Sequence, residues 1–284
     1  MEQNEKLAIL SMDLEEWYHL DYFKGCSLDK KVSMLDGFTN YVEQLNRHGV
    51  KTTFFVVSEL AEFAKEQILY ASKCGHEIAC HGKTHTRPLT MDPKDFEKEV
   101  REAKQTLEDL IGKEVIGYRA PCYSIDNERY DIIRKLGFKF SSSWMDIPGH
   151  PLYGKLDLSD YKEVKQGFFE KDGFVEFSLS TQKFLGKHLA VSGGGWIRLF
   201  PWWFMKSLID TYLKDAETYT LYIHPFELSD RDMPKVSEAG MLSHIRSHKG
   251  LHQVAPKVDV LIEKLKDHDF NMTTFADARE RILG

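Results

Sequence analysis

Residues 76–85 read HEIACHGKTH and join a short apolar strand to a polar loop. In the loop, His81 and His85 stand four residues apart with a glycine between them, which lets the backbone turn tightly. Neutral imidazole is the commonest side-chain ligand for zinc-like metals, and two imidazoles on one short turn can share an ion. A metal that supports hydrolysis usually has three protein ligands and one open position, so we expect a third ligand elsewhere in the chain.

Strands and helices alternate on both sides of this loop. Residues 6–13 form an apolar strand that runs into acidic residues, and residues 50–57 are β-branched and aromatic, as in a buried strand. Further strands are predicted at 77–79, 115–118, 138–143 and 219–224, helices at 35–48, 60–69 (capped by Ser58), 92–111, 126–136, 201–213, 256–268 and 276–283, and loops with short strands at 144–187. The alternation predicts one α/β barrel-like domain over residues 1–284.

The composition is that of an ordinary globular protein, with 38 basic and 44 acidic residues and a formal net charge of -6. Nucleic acid is not an expected partner, because phosphate binding needs a concentrated cationic face and no basic block occurs. No apolar run reaches the roughly 18 residues of a membrane span. The polar start, MEQNEK, lacks the apolar core of a signal peptide, so we expect a cytoplasmic protein with reduced cysteines.

Polar side chains follow four of the predicted strands at the point where each strand ends. They are Asp13 and Glu15, His81 and His85, Arg119, and His224. Because the carboxyl ends of barrel strands meet at one face, we expect these side chains to converge. Each motif alone is more often a solvated loop or a structural ion pair, but four at successive strand ends indicate an active site.

The acidic pair after the first strand offers two carboxylates for different tasks. Side chains alternate between faces in an extended segment, so Asp13 and Glu15 point to the same side and Glu16 points away. One carboxylate would bind the metal while the other stays free as a base. The alternation by itself leaves open which of the two takes which task.

Five motifs occur in the order DLEEW at 13–17, HEIACHGKTH at 76–85, RAPCYS at 119–124, GGGWIRL at 193–199 and HPFE at 224–227. Together they resemble the polysaccharide deacetylases of carbohydrate esterase family four, which include chitooligosaccharide deacetylases. The resemblance is closest to a subgroup found with bacterial exopolysaccharide and O-antigen biosynthesis. It implies a distorted (β/α) barrel with about seven strands, fewer than the usual eight repeats. It also implies a metal-dependent hydrolase that removes an N-acyl group, usually acetyl, from an amino sugar.

The resemblance implies the metal ligands. His81 and His85 match the two metal histidines of the family, and Glu15 matches the third ligand, which is an Asp in most members. The longer arm of Glu15 would let the metal sit differently or favour another ion. We expect a divalent cation, Zn²⁺ first and Co²⁺, Ni²⁺, Fe²⁺ or Mn²⁺ as alternatives, with Glu16 as the alternative ligand to Glu15.

The resemblance also implies the catalytic residues. Asp13 matches the family's base, Arg119 the arginine that fixes the base, and His224 the acid that protonates the leaving amine. Amide hydrolysis needs an activated water, a stabilised carbonyl oxygen and a proton for a poor leaving group, which a metal, a carboxylate and a histidine can supply. We expect a backbone N–H near Cys122 as a second donor to the oxyanion.

The remaining motif residues fit a sugar-binding cleft. The glycines at 193–195 would let backbone approach a ligand closely, so we assign Gly194 to substrate binding, with Cys122 and Tyr123 of the RAPCYS turn. Among the tryptophans we expect Trp17 and Trp196 near the substrate, where they would stack on sugar rings. The alternative is that these rings belong to the core or the cleft wall.

One position departs from the pattern of the subgroup. Where its members tend to have an Asp before two serines, this chain has Ser141, followed by Ser142 and Ser143. If that Asp normally braces the site, Asp146 or another group must replace it, or the activity is weak.

The leading hypothesis is a metal-dependent N-deacetylase or deformylase. Its substrate would be an N-acylated amino sugar that is nucleotide-, lipid- or oligosaccharide-linked. A second hypothesis keeps the metal and replaces the sugar by a cyclic amide or ureide, and a third is a non-catalytic glycan-binding pseudoenzyme. The exact sugar, the acyl group and a homo-oligomeric state do not follow from the sequence.

Overall fold

The computed structural model describes residues 5–284, so the first four residues of MEQNEK, on which the signal-peptide prediction depends, lie outside the described range. The strands are β1 Lys6–Leu14, β2 Thr53–Val56, β3 Glu77–Cys80, β4 Gly117–Tyr118, β5 Phe140–Ser141, β6 Lys162–Lys165, β7 Phe168–Lys171, β8 Phe174–Phe177, β9 Thr181–Phe184, β10 Lys187–Ala190, β11 Thr218–Ile223 and β12 Phe270–Met272. The helices are α1 Asp36–His48, α2 Lys65–Lys73, α3 Pro93–Ile111, α4 Asn127–Lys135, α5 Gly194–Leu199, α6 Trp202–Asp215, α7 Met241–His248, α8 Val254–Asp267 and α9 Phe275–Leu283.

A curled mixed sheet forms the centre of the fold. Seven strands run parallel in the order β11-β1-β2-β3-β4-β5-β8. Beyond β8 the sheet continues antiparallel through β7 and β6, and β12 pairs with β1. The prediction of a distorted α/β barrel with about seven strands in a single domain is confirmed.

The two faces of the sheet have different partners, because successive side chains of a strand alternate between faces. On β1, Ala8 and Leu10 belong to the main core between sheet and helices. Leu7 and Ile9 belong to a second cluster inside the barrel, which Phe275 of α9 joins. The backbone N–H of Phe275 donates to the Thr53 hydroxyl at the start of β2, so α9 closes the barrel at the amino ends of the strands.

The interior face becomes polar towards the carboxyl ends of the strands. Along β1 it presents Leu7, Ile9, Ser11 and Asp13 in turn, and Glu15 follows just beyond the strand. Apolar packing therefore fills one end of the barrel and chemically active groups occupy the other, as in other barrels whose sites lie at the carboxyl ends.

The segment that carries the β9–β10 hairpin closes the barrel between β8 and β11. Thr220 of β11 donates its hydroxyl to Ser178 O at 2.7 Å, and the Tyr222 N–H donates to Ser192 O at 2.7 Å. Directly after this contact the chain forms α5. The sequence pattern does not predict α5, because its glycines have low helix propensity.

Ser58 does not cap α2. It begins a 3₁₀ turn, Ser58–Leu60, and α2 starts only at Lys65. The Ser58 N–H donates instead to Gly82 O at 3.0 Å, which ties this turn to the histidine loop. Within residues 5–284, every helix is too short or too polar to serve as a transmembrane span.

Candidate active site

Three potential metal ligands meet at the carboxyl end of the barrel. Glu15 follows β1, and His81 and His85 lie in the loop after β3. One ligand atom from each residue lies within 4.8 Å of the other two, and Glu15 Oε2 is 2.8 Å from His85 Nε2. Bonds of about 2.0–2.2 Å to a shared zinc place two ligand atoms roughly 3–4 Å apart, so the group has the right size for an ion.

Backbone carbonyls fix the orientation of both imidazoles. Arg119 O lies 2.8 Å from His81 Nδ1, and His19 O lies 3.1 Å from His85 Nδ1. Because a carbonyl only accepts, each Nδ1 carries a hydrogen and each Nε2 faces the group. Glu15 Oε2 is buried, and its polar neighbour is His85 Nε2 at 2.8 Å. The oriented nitrogens and this buried oxygen fit a divalent cation.

The charge states of the three groups follow from burial and from one another. Burial opposes ionisation of Glu15, but the nearby imidazoles, above all His85, lower its pKa to about 2. Burial lowers the pKa of His81 to about 4, so its imidazole is neutral near pH 7. Burial lowers the pKa of His85, but the nearby Glu15 carboxylate raises it more, so the pKa lies above its ordinary value. His85 must give up that proton to bind a metal, so acid opposes metal binding.

Asp13 lies beside this group and is held by Arg119. Arg119 Nη1 is 2.6 Å from Asp13 Oδ1, and the whole arginine side chain is buried. Its remaining N–H groups donate to the Ser142 carbonyl and hydroxyl and to the Ser11 hydroxyl. Asp13 Oδ2 lies 3.9 Å from His81 Nε2. One carboxylate oxygen is thus bound to the arginine, and the other faces the potential metal ligands.

His224 reaches Glu15 from the other side, on the turn after β11. Its Nε2 is 3.4 Å from Glu15 Oε1, and its Nδ1 is 3.2 Å from Glu227 Oε2. Arg198 Nε donates to Glu227 Oε1 at 2.7 Å. Burial by itself lowers the pKa of His224, but Glu227 first and Glu15 second raise it to about 9. The largely buried imidazole is therefore held protonated, as a proton donor requires.

Gly194, which the sequence analysis assigns to substrate binding, packs against Glu227. A Cβ at Gly194 would lie 2.0 Å from Glu227 Oε2, and α5 also supplies Arg198 to the same carboxylate. The predicted close approach of backbone exists, but the neighbour is a side chain of this protein. Glycine is needed here because α5 must reach the carboxylate that holds the catalytic histidine candidate.

The two tryptophans assigned to the cleft differ in accessibility. Trp17 is 1% exposed, packs edge-on against Phe23 and donates its indole N–H to Val32 O at 2.8 Å. A ring without an open face cannot stack on a sugar, so the prediction for Trp17 is corrected: it belongs to the core. Trp196 is half-buried and stacks on Phe200, with centroids 5.5 Å apart and planes 2° apart. Trp196 keeps its place as a candidate for the cleft wall.

The RAPCYS turn bends sharply next to the site. Cys122 and Tyr123 both have positive φ values, 54° and 53°, which are uncommon for residues other than glycine. The Tyr123 ring lies between those of Tyr153 and Tyr222, at centroid distances of 5.4 and 5.3 Å. Its hydroxyl is buried and has no hydrogen-bond partner in the described part of the chain. An unpaired buried hydroxyl is costly, so Tyr123 stays a candidate for substrate contact.

Glu16, the alternative ligand, points away from the metal-ligand group. Its Oε2 accepts from the backbone N–H groups of Trp17 and Met34, at 3.3 and 3.1 Å. These bonds fix the aromatic segment that follows β1. The structure therefore brings Glu15 to the two histidines and does not bring Glu16.

The brace expected beside the three serines comes from another strand. Glu176 of β8 is buried, and its Oε1 accepts from the Ser143 and Trp144 N–H groups at 2.6 and 2.8 Å. Asp146 lies instead 2.8 Å from His188 Nδ1 on the hairpin, so it does not serve as the brace. The group that holds this turn is therefore Glu176 and not Asp146. β5 pairs with β8, which brings Glu176 to the turn.

Sequence reasoning missed several partners of the site residues. They are Glu227, Arg198 and Glu176. Glu227 stands in the HPFE motif and Arg198 in the GGGWIRL motif, and their opposite charges are the signal that could have predicted their ion pair. Glu176 stands in no motif with a chemical signature, and only the folded chain reveals its contacts.

Comparisons with known proteins agree with this architecture. Residues 31–141 match the family model described as Polysaccharide deacetylase, and residues 142–278 match a model described as Domain of unknown function (DUF3473). The peptidoglycan deacetylase of Helicobacter pylori is 24% identical over 245 residues, which cover 77% of this chain and 80% of the relative. The two matched segments form one sheet, because β8 of the second segment pairs with β5 at the end of the first.

Solved structures show the same fold at low sequence identity. A protein from Mycobacterium smegmatis that is assigned as a polysaccharide deacetylase is 17% identical, with a TM-score of 0.65 over 99% of this chain and 92% of its own. A pseudoenzyme of carbohydrate esterase family four from Bacillus anthracis is 12% identical, with a TM-score of 0.54 over 98% of this chain and 66% of its own. Residues 31–141 thus match the polysaccharide deacetylase family, and the fold of the chain is similar to the folds of these solved structures.

Proposed function

We propose that this protein is a metal-dependent hydrolase that removes an N-acyl group, acetyl first, from an amino sugar. The observation that carries the proposal is the convergence of three kinds of group at one end of the barrel. These are the metal-ligand set, the Asp13 carboxylate with one oxygen bound to Arg119, and the protonated His224. Together they can supply the activated water, the stabilised carbonyl oxygen and the leaving-group proton that amide hydrolysis needs.

Asp13 is the general base of the proposed reaction. Its Oδ1 is bound to Arg119, so Oδ2, which lies 3.9 Å from His81 Nε2, takes the proton of the attacking water. The arginine fixes the direction of the carboxylate. A proton transfer of this kind contributes roughly 10²–10⁴-fold in rate.

His224 is the general acid. It delivers its proton to the amide nitrogen as the C–N bond breaks, so the acyl group leaves as a carboxylate and the sugar keeps a free amine. Glu227 accepts from Nδ1 at 3.2 Å, which holds the proton-bearing imidazole in place. A divalent cation held by Glu15, His81 and His85, zinc in our proposal, supplies Lewis-acid chemistry that polarises the acyl carbonyl and lowers the pKa of water.

The Cys122 backbone N–H is the proposed second donor to the developing oxyanion. The positive φ at Cys122 turns this peptide at the site, and donors fixed before the reaction lower the barrier most. Tyr123 and Trp196 line the proposed cleft for the sugar. The proposed substrate is a nucleotide-, lipid- or oligosaccharide-linked amino sugar of surface-glycan biosynthesis in the cytoplasm, and cell fractionation tests that compartment.

Metal analysis combined with a substrate panel tests the proposal. The panel contains N-acetylated sugars in free, nucleotide-linked and oligomeric form, with cyclic ureides as the competing class. We expect release of acetate from a sugar, lost on chelation and in His81→Ala. His252→Ala, at an exposed histidine that pairs with Asp232, is the matched control. A well-folded protein that binds metal but turns over nothing on the panel would support the pseudoenzyme hypothesis instead.

A further inference from the structure

An apolar surface extends from the active-site wall to the tip of the β9–β10 hairpin. It consists of Phe184 and Leu185 at the hairpin turn and of Phe200, Trp203 and Phe204 around the start of α6, and is called the hairpin patch below. Leu185 is 88% exposed and Trp203 is 74% exposed. The Phe204 ring lies 5.5, 5.9 and 6.1 Å from the rings of Phe184, Trp203 and Phe200. The aromatic residues therefore form one continuous surface.

The tip of the hairpin has a residue that the fold does not require. Leu185 and Gly186 form the turn with φ values of 48° and 78°. Glycine, asparagine and aspartate suit such positions, whereas leucine at positive φ is disfavoured. The Leu185 side chain also contributes almost no burial to this chain. Its presence at a strained, exposed position points to a contact outside the protein.

The segment that carries the patch is cationic in sequence, although the whole chain carries -6. No Asp or Glu occurs in the sequence between Glu176 and Asp210. This stretch contains the exposed Lys183, Lys187 and Lys206. Asp146 lies 2.8 Å from His188 Nδ1 of the hairpin.

Another exposed aromatic residue offers a contrast. Phe63 is 65% exposed, but its near neighbours in sequence are Glu62 and Glu66, with Lys65 between them. Exposure of an aromatic ring is thus not in itself accompanied by cationic charge in this protein. The hairpin patch, in contrast, combines a projecting apolar tip, aromatic rings and flanking lysines.

We propose that the hairpin patch docks the protein on the surface of an anionic lipid bilayer. Aromatic rings and leucine favour the interfacial region of a bilayer, and lysines beside them attract anionic headgroups. A second copy of the chain is the weaker alternative, because lysine is depleted at the centre of protein interfaces. A single projecting tip also suits insertion between headgroups better than it suits a flat protein surface.

The patch leads directly to the candidate active site. Trp196 stacks on Phe200, and the same helix places Gly194 against Glu227, the partner of His224. With the patch seated in the bilayer, the cleft would lie near the membrane surface. The substrate class that follows is an acylated amino sugar carried on a membrane lipid. This consequence rests on the proposed function, whereas the docking itself does not.

Vesicle co-sedimentation of the full chain tests the docking. The probes are vesicles of phosphatidylcholine alone and of phosphatidylcholine mixed with phosphatidylglycerol. Wild type should bind the mixed vesicles, with affinity that falls as salt rises. Leu185→Asn, whose side chain suits the turn, should keep or raise the melting temperature and weaken binding roughly tenfold. Trp203→Glu should weaken it further, and Phe63→Glu, the matched control, should leave it unchanged.

Three results would overturn the docking proposal. They are absence of binding to mixed vesicles, equal binding by Leu185→Asn and wild type, and a dimer in sedimentation velocity that Leu185→Asn dissociates while vesicles stay unbound. Hydrolysis of a water-soluble acetylated sugar without vesicles is the separate readout for the proposed function. Leu185→Asn should hydrolyse that sugar at the wild-type rate, so failure of either proposal is recognised independently.

Discussion

His81 and His224 lie on either side of Glu15, and both are largely buried. The imidazole of His81 is nevertheless neutral, whereas that of His224 is protonated. At His81 the Nδ1 faces a backbone carbonyl, and burial lowers the pKa to about 4. At His224 burial acts in the same direction, but the Glu227 carboxylate on Nδ1 and the nearby Glu15 raise the pKa to about 9. Burial alone makes a histidine a neutral ligand, whereas a buried carboxylate on Nδ1 makes it a proton donor.

The largest expected effect separates the two roles directly. His224→Gln should lower kcat by roughly 10²–10⁴-fold, because the leaving amine loses its proton donor. Its metal content should equal that of wild type, since Glu15, His81 and His85 are unchanged. His81→Ala should lose both activity and metal. Turnover and elemental analysis on the same preparations measure the difference, and metal loss in His224→Gln would contradict the division of roles.

The carboxylate behind His224 should set the alkaline limit of activity. His224 acts in its protonated form, so activity falls as pH rises through its pKa. Glu227→Gln removes the charge that raises this pKa, so the pKa moves from about 9 toward the ordinary histidine value of ~6.5. The alkaline limb of the kcat/KM profile should then move to lower pH by about one unit or more.

Glu227→Gln keeps an oxygen that can accept from Arg198, which limits structural damage. Glu263→Gln, at an exposed glutamate that pairs with Lys266, is the matched control and should leave the limb in place. An unshifted limb in Glu227→Gln would show that Glu227 positions the ring without setting its charge.

The interaction of His224 with Glu227 should also make the stability of the substrate-free protein depend on pH. A histidine with a raised pKa in the folded state stabilises the fold fully below its unfolded pKa of ~6.5, and this contribution is lost as pH rises towards 9. Between pH ~6.5 and 9, the free energy of unfolding of wild type should therefore fall by on the order of 1–3 kcal/mol more than that of His224→Gln. Urea unfolding at several pH values measures the difference, and parallel curves for the two proteins would refute it.

The smallest effect concerns the two neighbouring glutamates. Glu16→Gln should change metal content and turnover little, because a glutamine oxygen can still accept from the Trp17 and Met34 N–H groups. Glu15→Gln should lose metal, because a neutral amide is a poor substitute for a carboxylate ligand. Elemental analysis of the two variants decides between the ligands, and the reverse pattern would transfer the assignment to Glu16.

Several features of the site could be predicted because they depend on neighbours in sequence. Strand alternation places Asp13 and Glu15 on one face and Glu16 on the other, and the strand ends bring His81 and Arg119 to the same end of the barrel. Helix starts such as Asp92, which caps α3 through the Lys94 N–H, follow from local chemistry as well. These predictions needed only the side-chain periodicity of each strand or helix and the direction in which each strand runs.

Other features could not be predicted because a local pattern has more than one outcome. An aromatic residue after a strand can line a cleft or fill a core, and Trp17 fills the core. Ser58 has the chemistry of a helix cap, but its backbone is tied to Gly82 and α2 begins later. Glycines can approach a ligand or a side chain, and Gly194 approaches Glu227.

The sequence by itself determined the alternation of strands and helices as far as β5, the barrel class and the residues that stand at the strand ends, because hydrophobic period and capping act over a few positions. Only the tertiary structure decided which partners those residues meet. Glu227 joins Arg198 to His224, Glu176 reaches the serine turn, and the hairpin patch emerges beside Trp196. These contacts join residues that are far apart in the sequence, and only the folded sheet brings such residues together.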